Sequence, residues 1–176
     1  MAYVTSTFFA PVSKNFGRGY KLVGYWLNAA STNIQSNASE IKMRLDDHCT
    51  HHGNTLNGVE SDNGNGANPI RMGLWRALRR TVCENCPPKR MPMTFMNLED
   101  FMAQALSPCA CAGNGVDGII VTTMGHLCSD PVKGSQIVLK MAEAGKHFMA
   151  EDGICLSCCH PATKAMMQKK KLLVAS

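Results

Sequence analysis

The stretch VDGIIVTTMGHLCSDPVKGSQIVLKMAEAGKHFMAED, residues 116–152, decides the fold class. It begins with a continuous apolar run, Ile119 to Val121, of the kind found in a strand that is covered on both faces. A loop and a helical pattern follow, in which Asp130 is placed to cap the helix and Pro131 to take its first position. Gly145 is placed to end the helix in the left-handed backbone conformation that glycine adopts easily, and a second short strand begins after it.

The same alternation continues on both sides of this stretch. From Met93 onward the pattern predicts helix, strand, helix, strand, helix and strand, which is typical of a parallel sheet with crossover helices. We therefore predict an α/β fold of Rossmann-like type in residues 70–176. Nearer the N-terminus, four apolar residues between Ile34 and Leu45 fall on one helix face, whereas residues 22–27 fit either a strand or a helix.

The segment HHGNTLNGVESDNGNGANP, residues 51–69, differs from the rest in composition. Its Gly, Asn and Ser residues favour turns, and it has too little apolar surface to pack against a core. We predict a flexible loop here. It divides the chain into an N-terminal segment, residues 1–68, and the α/β region, or it lies within a single domain of residues 1–176.

Composition bounds the class of protein. The apolar runs of this 176-residue chain are far shorter than the roughly 20 residues of a membrane-spanning helix. Nine cysteines and no secretory signal pattern indicate reduced thiols in an unsecreted protein, either cytoplasmic or, since residues 1–39 contain no acidic residue, organellar. The net charge of +5 is dispersed, with local concentrations on the helix that carries Arg76, Arg79 and Arg80 and in the lysines at 169–171.

Three segments of the sequence resemble a known family. VDGIIVTTMGHL, the helix end MAEAGKHFMAE and the segment PATKAMMQKKKLL resemble the second half of the dinucleotide-binding domain in the glucose–fructose oxidoreductase and inositol dehydrogenase family. In that family a strand reading VDxVxxxTPxxxH precedes a helix ending in EAGKHV and a strand ending in EKP. The resemblance covers about residues 93–175 and implies an NAD(P)-binding, oxidoreductase-like domain.

The resemblance also implies where the dinucleotide lies. Open α/β sheets bind ligands beyond the carboxyl ends of their strands. The family's threonine, histidine and glutamate lie at or just after the carboxyl ends of the two strands that flank the EAGKHV helix. Two glycines ahead of Leu22 are the candidates for a phosphate-binding loop, with Leu22 where a third glycine belongs. The residues expected to contact the cofactor are Thr122, Thr123, His126, Glu151, Gly17 and Gly19.

The sequence departs from the family at its catalytic position. The lysine and proline of EKP are replaced by Asp152 and Gly153, and an aspartate cannot act as a cationic proton donor. The family's second, substrate-binding domain does not fit in the remaining residues. We therefore predict a truncated or degenerate domain with weak or no catalysis, which acts as a subunit or binding module with a protein partner or as a homo-oligomer.

The cysteines suggest a second interpretation. Cys83 with Cys86, and Cys155 with Cys158, have the spacing by which two thiolates bind one tetrahedral zinc ion, and the CAC motif at 109–111 could complete such a site. The alternative function is then a zinc-stabilised, cysteine-rich structural or adaptor protein that contacts RNA through its arginines and C-terminal lysines. Buried, reduced thiols that pack as small hydrophobic groups are the simpler explanation of the same residues.

Overall fold

A single parallel sheet organises the protein. The computed structural model describes residues 19–28, 34–64, 66–85, 90–92, 94–111 and 114–151. Its elements follow one another as β1 Lys21–Asn28, α1 Ile34–His51, β2 Thr55–Asn63, α2 Met72–Val82, α3 Leu98–Ala105, β3 Gly118–Val121, α4 Met124–Leu127, α5 Pro131–Glu143 and β4 His147–Ala150. The four strands lie in the order β2-β1-β3-β4, and every neighbouring pair is parallel.

The predicted α/β, Rossmann-like class is confirmed. Strands alternate with helices, and their carboxyl ends meet at one edge of the sheet because all four run in the same direction. The apolar residues 22–27, which fitted either a strand or a helix, are strand β1 and are buried throughout. Continuous burial is what a central strand with both faces covered requires.

The sheet is covered on both faces. On one face α1 contributes Ile41, Leu45 and Cys49, which pack with Leu22 and Trp26 of β1. The other face carries the larger core, to which α2, α3 and α5 contribute their apolar sides. The fully buried large side chains of this second core include Tyr25, Phe101, Phe148, Leu74, Leu78, Met102, Ile119, Leu127 and Ile137.

Helix α5 begins and ends as the sequence indicates. The Asp130 carboxylate accepts hydrogen bonds from the backbone N–H groups of Val132, at 2.9 Å, and Lys133, at 3.3 Å. Pro131 occupies the first turn, where a missing N–H costs nothing. Gly145 follows the helix with a φ of 74°, a conformation that glycine adopts without strain.

The predicted loop at 51–69 is wrong for most of its length. Residues 55–63 form β2, which pairs with β1 from Lys21 to Asn28. Pairing with β1 overrides the weak strand propensity of this Asn- and Gly-rich sequence. An edge strand needs only a few apolar residues on the face that packs against the core. Leu56 and Val59 supply that face. Strands β1 and β2, from the predicted N-terminal segment, and β3 and β4, from the predicted α/β region, form one continuous sheet.

Two predictions of secondary structure concern residues outside the described ranges. These are the last helix and the last strand of the alternation that begins at Met93. Within the described part of the chain, no helix combines the length and the apolar character needed to cross a bilayer.

Gly73 tests the contact between α2 and the edge strand. A Cβ at this position would lie 2.3 Å from the carbonyl oxygen of Ser61, so Gly73→Ala should lower the free energy of unfolding by about 1–3 kcal/mol because backbone must shift. Gly125→Ala is the matched control, since its Cβ would meet nothing nearer than Thr123 Oγ1 at 3.6 Å. Urea unfolding of both variants checks this, and equal stability of the two would contradict the packing described here.

Candidate functional site

The candidate site is the edge of the sheet where the strands end, which we call the carboxyl rim. Within the described residues it consists of Asn28, Asn63, Gly64, residues 66–70, residues 122–129 and Glu151. Ile120 pairs with Gly24, and β3 ends one residue later, whereas β1 continues to Asn28. The rim therefore has a step roughly 10 Å high, and α4, which contacts β1, lies beside it.

Two threonines hold His126 at the rim. The Thr122 hydroxyl hydrogen-bonds to His126 Nδ1, and the Thr123 side chain accepts from the His126 backbone N–H as the cap of α4. Thr122 is only 1% exposed, so its hydroxyl orients the imidazole and is closed to a ligand. His126 itself is half-buried. Thr122, Thr123 and His126 therefore lie together at the carboxyl rim, with the Thr122 hydroxyl engaged by the imidazole.

Glu151 lies at the end of β4 and faces α1. Its Oε1 accepts a hydrogen bond from Arg44 Nη2 at 3.1 Å. Its Oε2 is buried and has no hydrogen-bond partner among the described residues. Burial, together with the neighbouring His52, lowers the pKa of His48 on the same helix, and Glu151 opposes that shift.

The two glycines expected to hold a phosphate are not at this rim. Gly19 precedes β1, has a φ of 76° and donates its N–H to the Gly53 carbonyl at 2.8 Å. It therefore lies at the amino edge of the sheet, opposite Thr122 and Glu151. Gly17 is outside the described residues. A phosphate-binding loop that includes Gly19 therefore cannot form one site with the carboxyl rim.

A buried polar network lies directly beneath the rim. Asp62 Oδ2 accepts a hydrogen bond from the Tyr25 hydroxyl at 2.8 Å, and the same hydroxyl accepts from Arg71 Nη1 at 3.2 Å. Asp62 also accepts from the backbone N–H groups of Gly73, at 2.7 Å, and Leu74, at 2.8 Å. Burial, reinforced by the Asp62 carboxylate, raises the pKa of Tyr25 far above its ordinary value.

Arg71 carries this network into the rim itself. Its Nη2 donates to the Gly66 carbonyl at 2.9 Å, and its Nη1 donates to the Leu127 carbonyl at 3.4 Å. The Gly66 carbonyl also accepts from the Ser129 N–H at 2.9 Å. The loop after β2 and the segment after β3 are thereby joined through one buried guanidinium. Sequence reasoning missed Arg71 and Asp62 because both lie in or beside the segment predicted to be a loop.

The basic face expected on α2 is not free to bind a ligand. Arg79 is buried and donates to the carbonyls of Ala105, at 3.2 Å, and Ser107, at 2.7 Å. Arg76 pairs with Glu60 at 2.9 Å, and Arg80 pairs with the same carboxylate at 3.6 Å. The expectation that these arginines contact RNA is corrected, because each one holds α2 to a neighbouring element.

Of the predicted metal ligands, Cys83 is the one that lies in the described part of the chain. Cys83 lies beside Cys111, with 3.1 Å between their sulfur atoms, and Cys109 lies 3.4 Å from Cys111. Cys86, Cys155 and Cys158 are outside the described residues. The CAC motif thus joins Cys83, as the sequence allowed, at a place distant from the carboxyl rim.

A shallow cavity of about 320 Å³ opens at the amino edge of the sheet. Its lining is mostly polar backbone near Gly115, Asp117 and Gly145, and Lys146 crosses it to donate to the Thr81 carbonyl at 2.7 Å. None of the residues proposed to bind a cofactor lines it.

The fold is similar to the folds of two solved catalytic domains. It is similar to the N-terminal catalytic domain of TP901-1 integrase, with a TM-score of 0.54 and 13% sequence identity, over 87% of this chain and 92% of that one. It is also similar to the C-terminal catalytic domain of ISC1926 TnpA, an IS607-like serine recombinase, with a TM-score of 0.48 and 14% identity, over 89% and 99% of the two chains. No protein-family model and no curated protein matches the sequence.

The likeness to the integrase domain overturns the dehydrogenase interpretation. That domain, matched with a TM-score of 0.54, is not a member of the glucose–fructose oxidoreductase and inositol dehydrogenase family. Two of the segments that carried the resemblance lie on β3 with α4 and on the end of α5 with β4, where they satisfy the packing of a strand–helix–strand unit that many α/β proteins share. The third segment, residues 161–173, is outside the described residues. The prediction of an NAD(P)-binding, oxidoreductase-like function is therefore wrong, and the zinc-adaptor alternative is no better supported.

Tyr25 makes the network beneath the rim measurable. Because its folded pKa is raised above the unfolded value of about 10, the protonated phenol stabilises the fold below that pH, and this contribution is lost as pH rises further. At pH 7 Tyr25→Phe should cost about 1–3 kcal/mol, since Asp62 and Arg71 each lose a partner. The difference between wild type and variant should shrink as the pH rises above about 10 in urea unfolding; parallel stability curves would show that Tyr25 does not carry this network.

Proposed function

We propose that this chain is a DNA-binding domain of an integration or recombination protein that works inside the cell, with the carboxyl rim facing the DNA. The observation that carries the proposal is the likeness to the integrase catalytic domain, because it spans 87% of this chain and 92% of that domain. A likeness of that extent involves the whole domain and not only a shared strand–helix–strand unit. Action with a protein partner or as a homo-oligomer stays a prediction.

The chemistry of the rim suits contact with a phosphate backbone. Its described side chains are mainly neutral hydrogen-bonding groups: Asn63 is exposed, and His126 is held in place by two threonines. Lys133, in the first turn of α5, reaches the rim and donates to the Ala67 carbonyl at 3.3 Å. The one carboxylate of the rim, Glu151, is paired with Arg44. Uncharged donors and backbone N–H groups commonly fix the position of a protein on DNA phosphates.

The distribution of charge indicates where the affinity for DNA would arise. The described residues contain 11 of the 18 lysines and arginines and 12 of the 13 acidic residues, which leaves this part of the chain with a formal charge of −1. Seven basic residues and one acidic residue fall outside it, giving +6. Lys169, Lys170 and Lys171 form the densest basic group in that remainder. We propose that these lysines neutralise phosphates while the rim lies against the duplex.

Salt dependence tests this assignment. Fluorescence anisotropy with a labelled duplex of mixed sequence should show binding that weakens steeply as salt is added. Replacing Lys169, Lys170 and Lys171 by glutamine should reduce the slope of log affinity against log salt by about 2.7, since each phosphate contact contributes about 0.9. Failure of the wild-type chain to bind duplex DNA would contradict the proposed function.

A charge-matched variant serves as the control. Lys21, Arg76 and Lys140 each form an ion pair within the described residues, so their combined replacement by glutamine changes the net charge equally. This control should leave the salt slope within about 0.9 of the wild-type value, because it removes no phosphate contact. If both triple variants lower the slope alike, the C-terminal lysines have no special role and overall charge alone sets the affinity.

A further inference from the structure

We propose that Cys83, Cys109 and Cys111 bind a zinc ion at the end of α2, far from the carboxyl rim. The site is independent of the proposed DNA-binding function. It lies near the amino edge of the sheet: the N–H of Val116, two residues before β3, donates to the Arg80 carbonyl at 2.8 Å in the last turn of α2.

The three sulfur atoms are grouped as a zinc site requires. Any two of them lie within 4.8 Å, with 3.1 Å between Cys83 and Cys111 and 3.4 Å between Cys109 and Cys111. Thiolates that bind zinc at about 2.3 Å in a tetrahedron lie about 3.8 Å apart. A disulfide needs about 2.05 Å. The observed spacing is therefore too wide for a covalent bond and close to that of three ligands around one ion.

The fold brings these cysteines together by a specific route. Cys83 ends α2 and donates its N–H to the Arg79 carbonyl at 3.0 Å. The Arg79 guanidinium donates to the carbonyls of Ala105 and Ser107, which fixes the start of the segment that follows α3. The CAC motif comes two residues after Ser107, so the buried arginine places it against the end of α2.

The exposure of the cysteines favours a metal over a packed apolar cluster. Cys83 is 6% exposed and Cys49, a core thiol, is 0% exposed, whereas Cys111 is exposed and Cys109 is partly exposed. An exposed thiol gains little from hydrophobic packing, yet Cys111 approaches both other sulfurs. A zinc ion would link the segment between α3 and β3 to α2 and would carry stabilisation with it, since metal binding to a folded site is folding free energy.

Three thiolates leave one coordination position for water or a further ligand. Cys86, which the sequence analysis paired with Cys83, lies outside the described residues, and the proposal does not depend on it. A structural role follows from the position of the site, because the carboxyl rim lies at the other edge of the sheet.

Metal analysis of the full chain tests the site. To remove the other predicted zinc-binding pair, the chain should carry Cys155→Ser and Cys158→Ser and be purified without chelators. We expect stoichiometric zinc, replaceable by Co²⁺ with thiolate-to-metal charge-transfer absorption. Cys109→Ser and Cys111→Ser should each weaken zinc affinity by more than about 100-fold, because changes to groups that only orient a ligand already cost about 10- to 100-fold.

Cys128→Ala is the matched control, since it removes a buried thiol that lies outside the cluster; it should retain the metal. A chelator should lower the melting temperature of the chain but leave its salt slope for DNA binding unchanged, which separates this site from the proposed function. The proposal would be overturned if the parent chain held no more zinc than its Cys109→Ser variant. A Cys83–Cys111 disulfide, found by mass spectrometry in protein purified under reducing conditions, would also overturn it.

Discussion

The Asp62 carboxylate is the interaction on which the rest of the structure depends. It belongs to the edge strand, yet it caps the first turn of α2 and accepts a hydrogen bond from Tyr25 of the central strand. The residue before α2, Arg71, provides no side-chain cap to that helix, so its N–H groups rely on Asp62. Hydrogen bonds to a charged group contribute about 1.5–3 kcal/mol each, and here they fix three elements at once. Arg71 extends the same constraint to both loops of the carboxyl rim.

Local signals were enough to predict the half of the fold built around β3, α5 and β4. The buried run at Ile119–Val121, the cap at Asp130 and the glycine at 145 each act within a few residues, so the sequence carries them directly. Strand β2 could not be found this way. Its pairing partner is β1, and its key residue, Asp62, acts on atoms of Tyr25 and Gly73 that only the folded chain brings near. The regular alternation of strand and helix was the one available signal for β2. In a parallel sheet, a strand is expected after helix α1 to pair with β1.

The candidate site shows the same limit. The sequence placed Thr122, His126 and Glu151 at strand ends, and the structure puts all three at the carboxyl rim. It could not show that Thr122 is buried or that Glu151 is paired. The family resemblance described the packing of a strand–helix–strand unit rather than its chemistry, which is why it led to a dehydrogenase interpretation that the likeness to the integrase domain overturns. Likewise, the sequence allowed the CAC motif to join Cys83 but could not show that Arg79 fixes the start of the segment that carries this motif. The pairing of Cys83 with Cys86, which lies outside the described residues, stays a prediction.

We propose that this buried network shapes a rim which faces DNA. Hydrogen–deuterium exchange of the chain with and without a duplex tests it most directly, because it locates the contact on the fold. We predict slower exchange at the amides of residues 66–70 and 123–129 when DNA is added, and no change at residues 114–117 and 145–147 of the amino edge. Protection confined to the amino edge, with the rim unaffected, would contradict the account.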